Sequence, residues 1–168
     1  MKPKNMVKQE GKFKWLEAGN KGENIILLHG LMGGVENFGD MVDHISKECK
    51  VYGLDLKLFE GSLLKVSVKK LSDYLYQFMN HIKVKKAILL GNSMGGHIGL
   101  IFNKEYPEMV KGLILTGSSG LFENSMGDSF PRRGDYEYIK TKTEEVFYDP
   151  KVATKELVDR VFKIANNR

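Results

Sequence analysis

The sequence of 168 residues predicts an α/β fold with a mostly parallel sheet. Two observations support this prediction. Short, continuous apolar runs alternate with segments of helical periodicity, and the connections between them are short. Such apolar runs are typical of strands that are covered on both faces, as the strands of parallel sheets are. We therefore expect helices on both faces of the sheet and right-handed crossovers between its parallel strands.

The predicted elements follow one another along residues 1–120. A half-exposed strand is indicated at 12–19, where apolar and polar residues alternate up to a glycine. Four buried strands, expected to run parallel, lie near 25–29, 50–55, 86–91 and 111–116. Apolar residues at helical spacing predict helices over 35–46, from an N-cap at Ser67 to Ile82, and over 94–107.

The sequence changes character after Gly120. Residues 121–149 are polar and rich in glycine and charge, and they contain no buried-strand pattern. Asp149 and Pro150 are typical of the N-cap and first turn of a last helix. The apolar residues of this helix are Leu157, Val158, Val161, Phe162 and Ile164. We therefore expect 1–120 to be the N-terminal part of a sheet-forming core and 121–168 to be a partial helical cap or lid, with the final strands absent.

Composition and charge argue against several classes of function. The net charge of +5 is spread along the chain, mostly as lysine without a basic block, which argues against a nucleic-acid partner. No apolar run approaches the ~18 residues of a membrane span, and the basic N-terminal stretch lacks the apolar core of a secretory signal. Cys49 is the only cysteine, so we expect no internal disulfide and a cytoplasmic location. No histidine pair has the helical spacing of metal ligands, and we expect neither a metal nor a cofactor.

The segment LLGNSMGGH, residues 89–97, predicts an exposed serine at a tight turn between a strand and a helix. Such a turn is strained and crowded, so small residues are needed two positions before and two positions after the serine. Gly91 and Gly95 meet that need around Ser93, where we expect a strained backbone. The amide of Met94, at the N-terminus of the following helix, would face an oxyanion formed next to Ser93. A purely structural turn is the alternative interpretation of these glycines.

A second segment, ILLHGLMGG at 26–34, matches ILLGNSMGG at 88–96 at most positions. Two copies are too few for a repeat protein and indicate two strand–turn–helix junctions under the same steric demand. Gly30 lets the backbone approach closely, which leaves the amide of Leu31 free to face Ser93 as a second oxyanion donor. We expect the amides of Leu31 and Met94 to converge on one point roughly 3 Å from each.

Together these motifs resemble those of the α/β-hydrolase superfamily. His29 and Gly30 match its oxyanion loop, and residues 91–96 match its nucleophile motif. The resemblance implies a serine hydrolase in which Ser93 is the nucleophile and His29 braces the oxyanion loop. The SMGG form is similar to that of small esterases and of hydrolases that cleave carbon–carbon bonds. The expected substrate is therefore a small ester, thioester, lactone or carbon–carbon bond next to a carbonyl. The segment DLKLFEGS departs from the family pattern and keeps only Asp55, Gly61 and Ser62.

The base of such a hydrolase is not evident in this sequence. The triad of the superfamily runs Ser, then Asp or Glu, then His, and the only histidine after Ser93 is His97. His97 would face the backbone turn rather than the hydroxyl, and His44 and His81 lie on predicted helices. The acidic residues beyond 120 are expected to be solvated; they include Glu123, Asp128, Asp135, Glu137, Glu144 and Glu145. We therefore expect the acid and the histidine to come from a further C-terminal segment, which a separate chain could supply, and very weak turnover by this chain alone.

Two other interpretations of the sequence stay open. The missing histidine favours a catalytically silent hydrolase-fold module that binds a small ligand or a protein partner. A dinucleotide-binding site is suggested by Gly30, Gly33 and Gly34 after a strand, with Asp55 21 residues beyond Gly34. However, the glycine order is G-x-x-G-G rather than G-x-G-x-x-G, and this interpretation leaves the turn at Ser93 unexplained.

Overall fold

A computed structural model describes residues 6–31, 33–56, 67–121, 132 and 134–166, the side chain of Ile164 excepted. The strands are β1 (Met6–Glu10), β2 (Phe13–Ala18), β3 (Asn24–Leu28), β4 (Lys50–Leu54), β5 (Ala87–Asn92) and β6 (Val110–Thr116). The α-helices are α1 (Gly39–Ile45), α2 (Val68–His81), α3 (Met94–Glu105), α4 (Tyr136–Glu144) and α5 (Lys155–Asn166). Short 3-10 helices lie at Val35–Phe38, Pro107–Met109 and Pro150–Val152.

The strands form one sheet in the order β1-β2-β4-β3-β5-β6. β3 pairs in parallel with β4 and with β5, and β5 pairs in parallel with β6. β2 is antiparallel to both β1 and β4, so a hairpin extends one edge of the sheet. The predicted mostly parallel α/β sheet, with its four parallel strands, is therefore confirmed.

The sequence does not predict β1. Four of its five residues are exposed, and Lys8 at its centre is the partly buried one. An edge strand that buries so little apolar surface carries neither an apolar run nor a clear alternation. Its pairing with β2, from Met6 opposite Glu17 to Glu10 opposite Phe13, is what defines it as a strand.

Apolar layers cover both faces of the sheet, as predicted. Successive residues of a strand point to opposite faces, so Ile26 and Leu27 of β3 belong to different cores. Ile26 packs in the larger core with residues of α2 and α3, among them Phe78 and Phe102. Leu27 packs in the smaller core with residues of α1, among them Val42.

The predicted start of the last helix is wrong. Asp149 does accept a hydrogen bond from the Lys151 amide over 3.0 Å, but it caps only the 3-10 helix Pro150–Val152. α5 begins at Lys155, where the hydroxyl of Thr154 accepts from the Leu157 amide over 3.3 Å. An Asp-Pro pair favours any tight turn, and the local hydrogen bond of Thr154 then starts the helix proper.

Met1–Glu123 and Asn124–Arg168 form two compact units. In the second unit α4 follows Asp135, whose carboxylate accepts from the Tyr138 amide over 3.1 Å. α4 contacts α5 where the rings of Tyr136 and Phe162 meet edge-on, with centroids 5.3 Å apart. Across the described ranges, no helix is both long enough and apolar enough to cross a membrane.

Candidate active site

Ser93 is the single residue between β5 and α3, at the carboxyl edge of the parallel strands. Its backbone has φ 53° and ψ −119°, in the positive-φ region that residues other than glycine rarely adopt. Its side chain is exposed. The strained turn that the sequence predicts at Ser93 is therefore present.

Positions 91 and 95 require glycine because β3, β5 and α3 come together at this turn. A Cβ built at Gly91 would lie 2.5 Å from the carbonyl carbon of Gly95 and from the Cα of Gly96. A Cβ built at Gly95 would overlap the carbonyl oxygen of Leu28, at the end of β3. In both cases the obstacle is backbone, which cannot move aside as a flexible side chain can.

The loop after β3 lies against the Ser93 turn, because β3 and β5 are neighbours in the sheet. A Cβ built at Gly30 would lie 3.2 Å from the Cβ of Ser93 and 3.3 Å from Oδ1 of Asn92. Gly30 is buried, whereas Leu31 is exposed. The structure thus brings together the two motifs that the sequence predicts to form one site.

The amides of Leu31 and Met94 are the proposed oxyanion donors. Met94 is the first residue of α3, and the first amides of a helix have no acceptor within it. Next to Leu31, the Gly33 amide donates to the Gly30 carbonyl oxygen over 3.2 Å and closes a short turn. Among the described hydrogen bonds, none uses the Leu31 or Met94 amide. Their convergence on one point stays a prediction.

His29 connects the loop after β3 to the end of β4. Its Nε2 accepts from the Leu56 amide over 3.1 Å, so Nε2 carries no proton. The proton is therefore on Nδ1, which lies 2.9 Å from the Gly30 carbonyl oxygen and donates to it. The ring is buried and both of its nitrogens have partners. This arrangement leaves no free lone pair with which His29 could act as a base towards Ser93.

His97 lies on α3, one turn after Ser93, and its amide donates to the Ser93 carbonyl oxygen over 3.3 Å. Its imidazole lies against Gly120, because a Cβ built there would be 2.5 Å from Cδ2 of the ring. His44 is exposed on α1. His81 of α2 packs on the ring of Phe13, with centroids 5.0 Å apart, and its Nε2 is 3.0 Å from the Glu10 carboxylate. In the described part of the chain, no histidine or carboxylate is hydrogen-bonded to the Ser93 hydroxyl.

The acidic residues beyond 120, which the sequence predicts to be solvated, make local contacts where they are described. Asp135 caps α4, and Glu137 and Glu145 form ion pairs with Lys140 and Lys142. Glu144 is partly buried at the end of α4. Four residues named in the sequence analysis lie outside the described residues: Glu123 and Asp128 beyond β6, and Gly61 and Ser62 after β4.

Sequence reasoning missed a contact between the Ser93 turn and the end of β6. The Ser93 amide donates to the Thr116 carbonyl oxygen over 3.1 Å, and the Ser119 amide donates to the Ser93 carbonyl oxygen over 3.2 Å. The apolar run that marks β6 indicates a strand next to β5 in a parallel sheet. Which of its residues reaches the turn depends on the pairing of Asn92 with Thr116, which follows a register shift near Ala87.

Residues 23–149 match the family model of the alpha/beta hydrolase fold, and the chain belongs to this family. Its curated relatives include a 2-hydroxy-6-oxo-6-(2'-aminophenyl)hexa-2,4-dienoic acid hydrolase from Metapseudomonas resinovorans. The two are 30% identical over 149 residues, which cover 80% of this chain and 51% of that protein. The dihydrolipoyllysine-residue acetyltransferase component of an acetoin cleaving system from Pseudomonas putida is 28% identical over 158 residues, covering 90% of this chain and 43% of that protein. The chain thus spans about half the length of these relatives.

A solved structure with a similar fold is that of MGS-MChE2, an alpha/beta hydrolase enzyme from the metagenome of lagoon sediments at Mar Chica, Morocco. It is 34% identical to this chain, with a TM-score of 0.66. The match covers 95% of this chain and 83% of that one. Hydrolases of the same fold are therefore among the proteins that this chain resembles.

Proposed function

We propose that the chain forms the nucleophile and oxyanion half of a serine hydrolase, with Ser93 as the nucleophile. The observation on which this rests is the conformation of Ser93. An exposed serine is held at positive φ between a parallel strand and a helix, with Gly30 packed against its Cβ. A nucleophile must be exposed and aimed, and this turn holds the Ser93 side chain exposed at the carboxyl edge of the parallel strands.

The proposed chemistry begins with attack of the Ser93 oxygen on a carbonyl carbon. The new carbon–oxygen bond puts negative charge on the carbonyl oxygen, while the hydroxyl proton passes to a base. The amides of Leu31 and Met94 would donate to that oxygen, and the N-terminus of α3 adds its positive potential. Collapse of this intermediate breaks the bond between the carbonyl carbon and the leaving group, which takes up the proton, and water then hydrolyses the acyl-enzyme. Gly30, Gly91 and Gly95 let the backbone segments approach closely enough for this arrangement.

We propose that the base and its acid come from a segment other than the residues described. Both ring nitrogens of His29 are in use, and the ring of His97 lies against Gly120. In the described sheet β6 pairs only with β5, and the side chain of Ile114 on it is 45% exposed. Such an edge offers backbone donors and acceptors to another strand. A C-terminal segment, in the same polypeptide or in a separate one, is the partner that we propose for this edge.

The proposed substrate is a small ester, thioester, lactone or carbon–carbon bond next to a carbonyl, in the cytoplasm and without a cofactor. The similarity to the Metapseudomonas resinovorans hydrolase supports this class of substrate. A second candidate function is a binding module of the hydrolase fold without a working triad. It is favoured by the fact that, within the described ranges, no base contacts the Ser93 hydroxyl.

Labelling with a fluorophosphonate tests the proposal, because the attacking serine oxygen forms a bond to phosphorus and displaces fluoride. We expect slow labelling of the intact chain, mapped by mass spectrometry to Ser93 and absent in Ser93→Ala. Ser119→Ala is the matched control, since it removes a hydroxyl from the neighbouring loop, and it should label as the wild type does. Equal labelling of Ser118, Ser119 and Ser93 would contradict the proposal and favour the binding module.

A further inference from the structure

Three consecutive residues of the Ser93 turn are hydrogen-bonded to Thr116, the last residue of β6. The Ser93 amide donates to the Thr116 carbonyl oxygen over 3.1 Å. Nδ2 of Asn92 donates to the same carbonyl oxygen over 3.1 Å and to Oγ1 of Thr116 over 3.2 Å. The Thr116 hydroxyl in turn donates to the Gly91 carbonyl oxygen over 3.4 Å.

The side chain of Asn92 also reaches the loop after β3. Its Oδ1 would lie 3.3 Å from a Cβ built at Gly30, on the side of Gly30 that faces Ser93. Since Nδ2 bonds to Thr116 and Oδ1 lies beside Gly30, one amide group contacts both neighbours of the turn. A change in the orientation of the Asn92 side-chain amide would therefore alter both the Ser93 turn and the loop after β3.

Ser93 needs such support because its backbone conformation is costly. A residue stays in a rarely populated conformation only where its surroundings over-determine it. The carbonyl oxygen of Ser93 accepts from the amides of Gly96, His97 and Ser119, over 3.0 Å, 3.3 Å and 3.2 Å. The Ser93 amide has one described hydrogen bond, which it donates to the Thr116 carbonyl oxygen. The position of that carbonyl therefore fixes the orientation of the peptide between Asn92 and Ser93.

We propose that Asn92 and Thr116 are positioning residues that hold the Ser93 turn in its reactive geometry. The effect on reactivity rests on the proposed function, whereas the effect on the Ser93 amide does not. Thr116 is exposed and Asn92 is partly exposed, so polar groups freed by a substitution regain water. Breaking the contact therefore has a small effect on the stability of the fold and a larger effect on the orientation of Ser93.

The first test compares Asn92→Asp with Asn80→Asp. The side-chain amide of Asn80, at an exposed position on α2, donates to the Tyr76 carbonyl oxygen over 2.9 Å, so the control loses the same kind of bond away from the site. Aspartate keeps the shape of asparagine but cannot donate to the Thr116 carbonyl. We expect fluorophosphonate labelling of Ser93 to slow by roughly 5- to 20-fold in Asn92→Asp, as for one or two lost hydrogen bonds, and to stay unchanged in Asn80→Asp.

The second test uses Thr116→Val and Thr116→Ser. Valine removes the hydroxyl at nearly constant volume, and we expect slower labelling with a melting temperature close to that of the wild type. Thr116→Ser keeps the hydroxyl and should restore most of the labelling rate that is lost in Thr116→Val. Because this pair leaves the Asn92 side chain intact, it keeps the proposal testable if Asn92→Asp proves poorly folded.

Amide hydrogen exchange, followed by NMR in the intact chain, separates this proposal from the proposed function. We expect the Ser93 amide to exchange faster in Asn92→Asp and Thr116→Val than in the wild type and in Asn80→Asp. If the wild type does not label at Ser93 but the exchange changes as expected, the hydrolase proposal fails and the positioning contact stands. Unchanged exchange and unchanged labelling in both variants would overturn the positioning role.

Discussion

Gly95 lies where the first turn of α3 crosses the end of β3, and it illustrates how one residue holds the site together. A methyl group there would overlap the Leu28 carbonyl oxygen, so Gly95→Ala must push α3 away from β3. We expect a loss of about 1–3 kcal/mol in the free energy of unfolding, measured in urea, together with slower labelling of Ser93. Gly112→Ala is the matched control, because a Cβ built in that strand meets nothing within 4 Å. A Gly95→Ala protein as stable as Gly112→Ala would contradict the crowding argument.

His29 permits a second prediction at the same scale. His29→Ala leaves the Leu56 amide without its buried acceptor, while the Gly30 carbonyl oxygen keeps the Gly33 amide, and it opens space in the core. We expect a loss of about 1–3 kcal/mol in the free energy of unfolding, the cost of an unsatisfied buried polar group, with slower labelling of Ser93. His44→Ala, at an exposed position on α1, is the control and should change neither measurement. If a folded His29→Ala protein is labelled at Ser93 at the wild-type rate, the positions of Gly30 and Leu31 do not depend on this histidine.

At the residue scale, the sequence predicts what local sterics demand. The spacing of Gly91, Ser93 and Gly95 predicts a strained turn because only small residues fit around it. The partner of His29 could not be predicted in the same way, since Leu56 lies 27 residues further along the chain. The contact of Thr116 with Ser93 is not predictable from the sequence for a similar reason, because it depends on the register between β5 and β6.

At the scale of elements, Glu17 ties the β1–β2 hairpin to β4. Its carboxylate lies 2.8 Å from Nζ of Lys8 on β1 and 3.4 Å from Nζ of Lys50 on β4. Burial acts to raise the pKa of Glu17, but hydrogen bonds from Lys8 and Trp15 and the charges of Lys50 and Lys8 lower it below its ordinary value of 4.5. The ionised form is therefore the one that the folded hairpin stabilises.

This depressed pKa predicts a pH dependence of stability. A carboxylate whose folded pKa lies below its unfolded value stabilises the fold above the unfolded value, and the contribution is lost as the pH falls through the folded pKa. We expect Glu17→Gln to lower the free energy of unfolding by about 1 kcal/mol at pH 7 and to reduce its decline as the pH falls below 4.5. Urea unfolding between pH 7 and pH 3 provides the measurement. The control is Glu48→Gln, which removes the same charge from an exposed pair with Lys21. An identical pH profile in Glu17→Gln and the wild type would contradict the role of this carboxylate.

The elements that the sequence predicts best are those with buried faces. The four parallel strands are marked by apolar runs, and α2 is marked by its apolar stripe and by Ser67, whose hydroxyl accepts from the Lys70 amide over 3.3 Å. β1 has no such mark, since backbone pairing rather than side-chain burial defines it. The sequence places the start of α5 too early, because the Asp149 cap serves a 3-10 helix as well as it would serve an α-helix.

At the scale of the whole molecule, the described residues contain the serine turn and the neighbouring glycine loop of the proposed reactive site. The strained serine and the loop of Gly30 are assembled, but the described contacts of Ser93 include no base. A serine hydroxyl without a base stays protonated near neutral pH, and its reactivity is then limited to what the oxyanion donors and binding supply. Removal of a triad member leaves about 10³- to 10⁴-fold catalysis over water in enzymes of this kind. The activity of this chain should therefore be weak, dependent on Ser93 and open to rescue by a base in solution.

Hydrolysis of p-nitrophenyl acetate by the intact chain tests this expectation. Imidazole in the buffer can take the proton that a histidine would take, so we expect the rate to rise with imidazole concentration by more than the uncatalysed reaction does. That excess should be absent in Ser93→Ala, which corrects for direct attack of imidazole on the ester, and unchanged in His97→Ala, whose ring lies against Gly120. Robust turnover without imidazole that is lost in His97→Ala would show instead that His97 turns towards Ser93 and is the base. A rate that imidazole raises equally in the wild type and in Ser93→Ala would show that the Ser93 hydroxyl is not reactive, and the binding-module function would then be favoured.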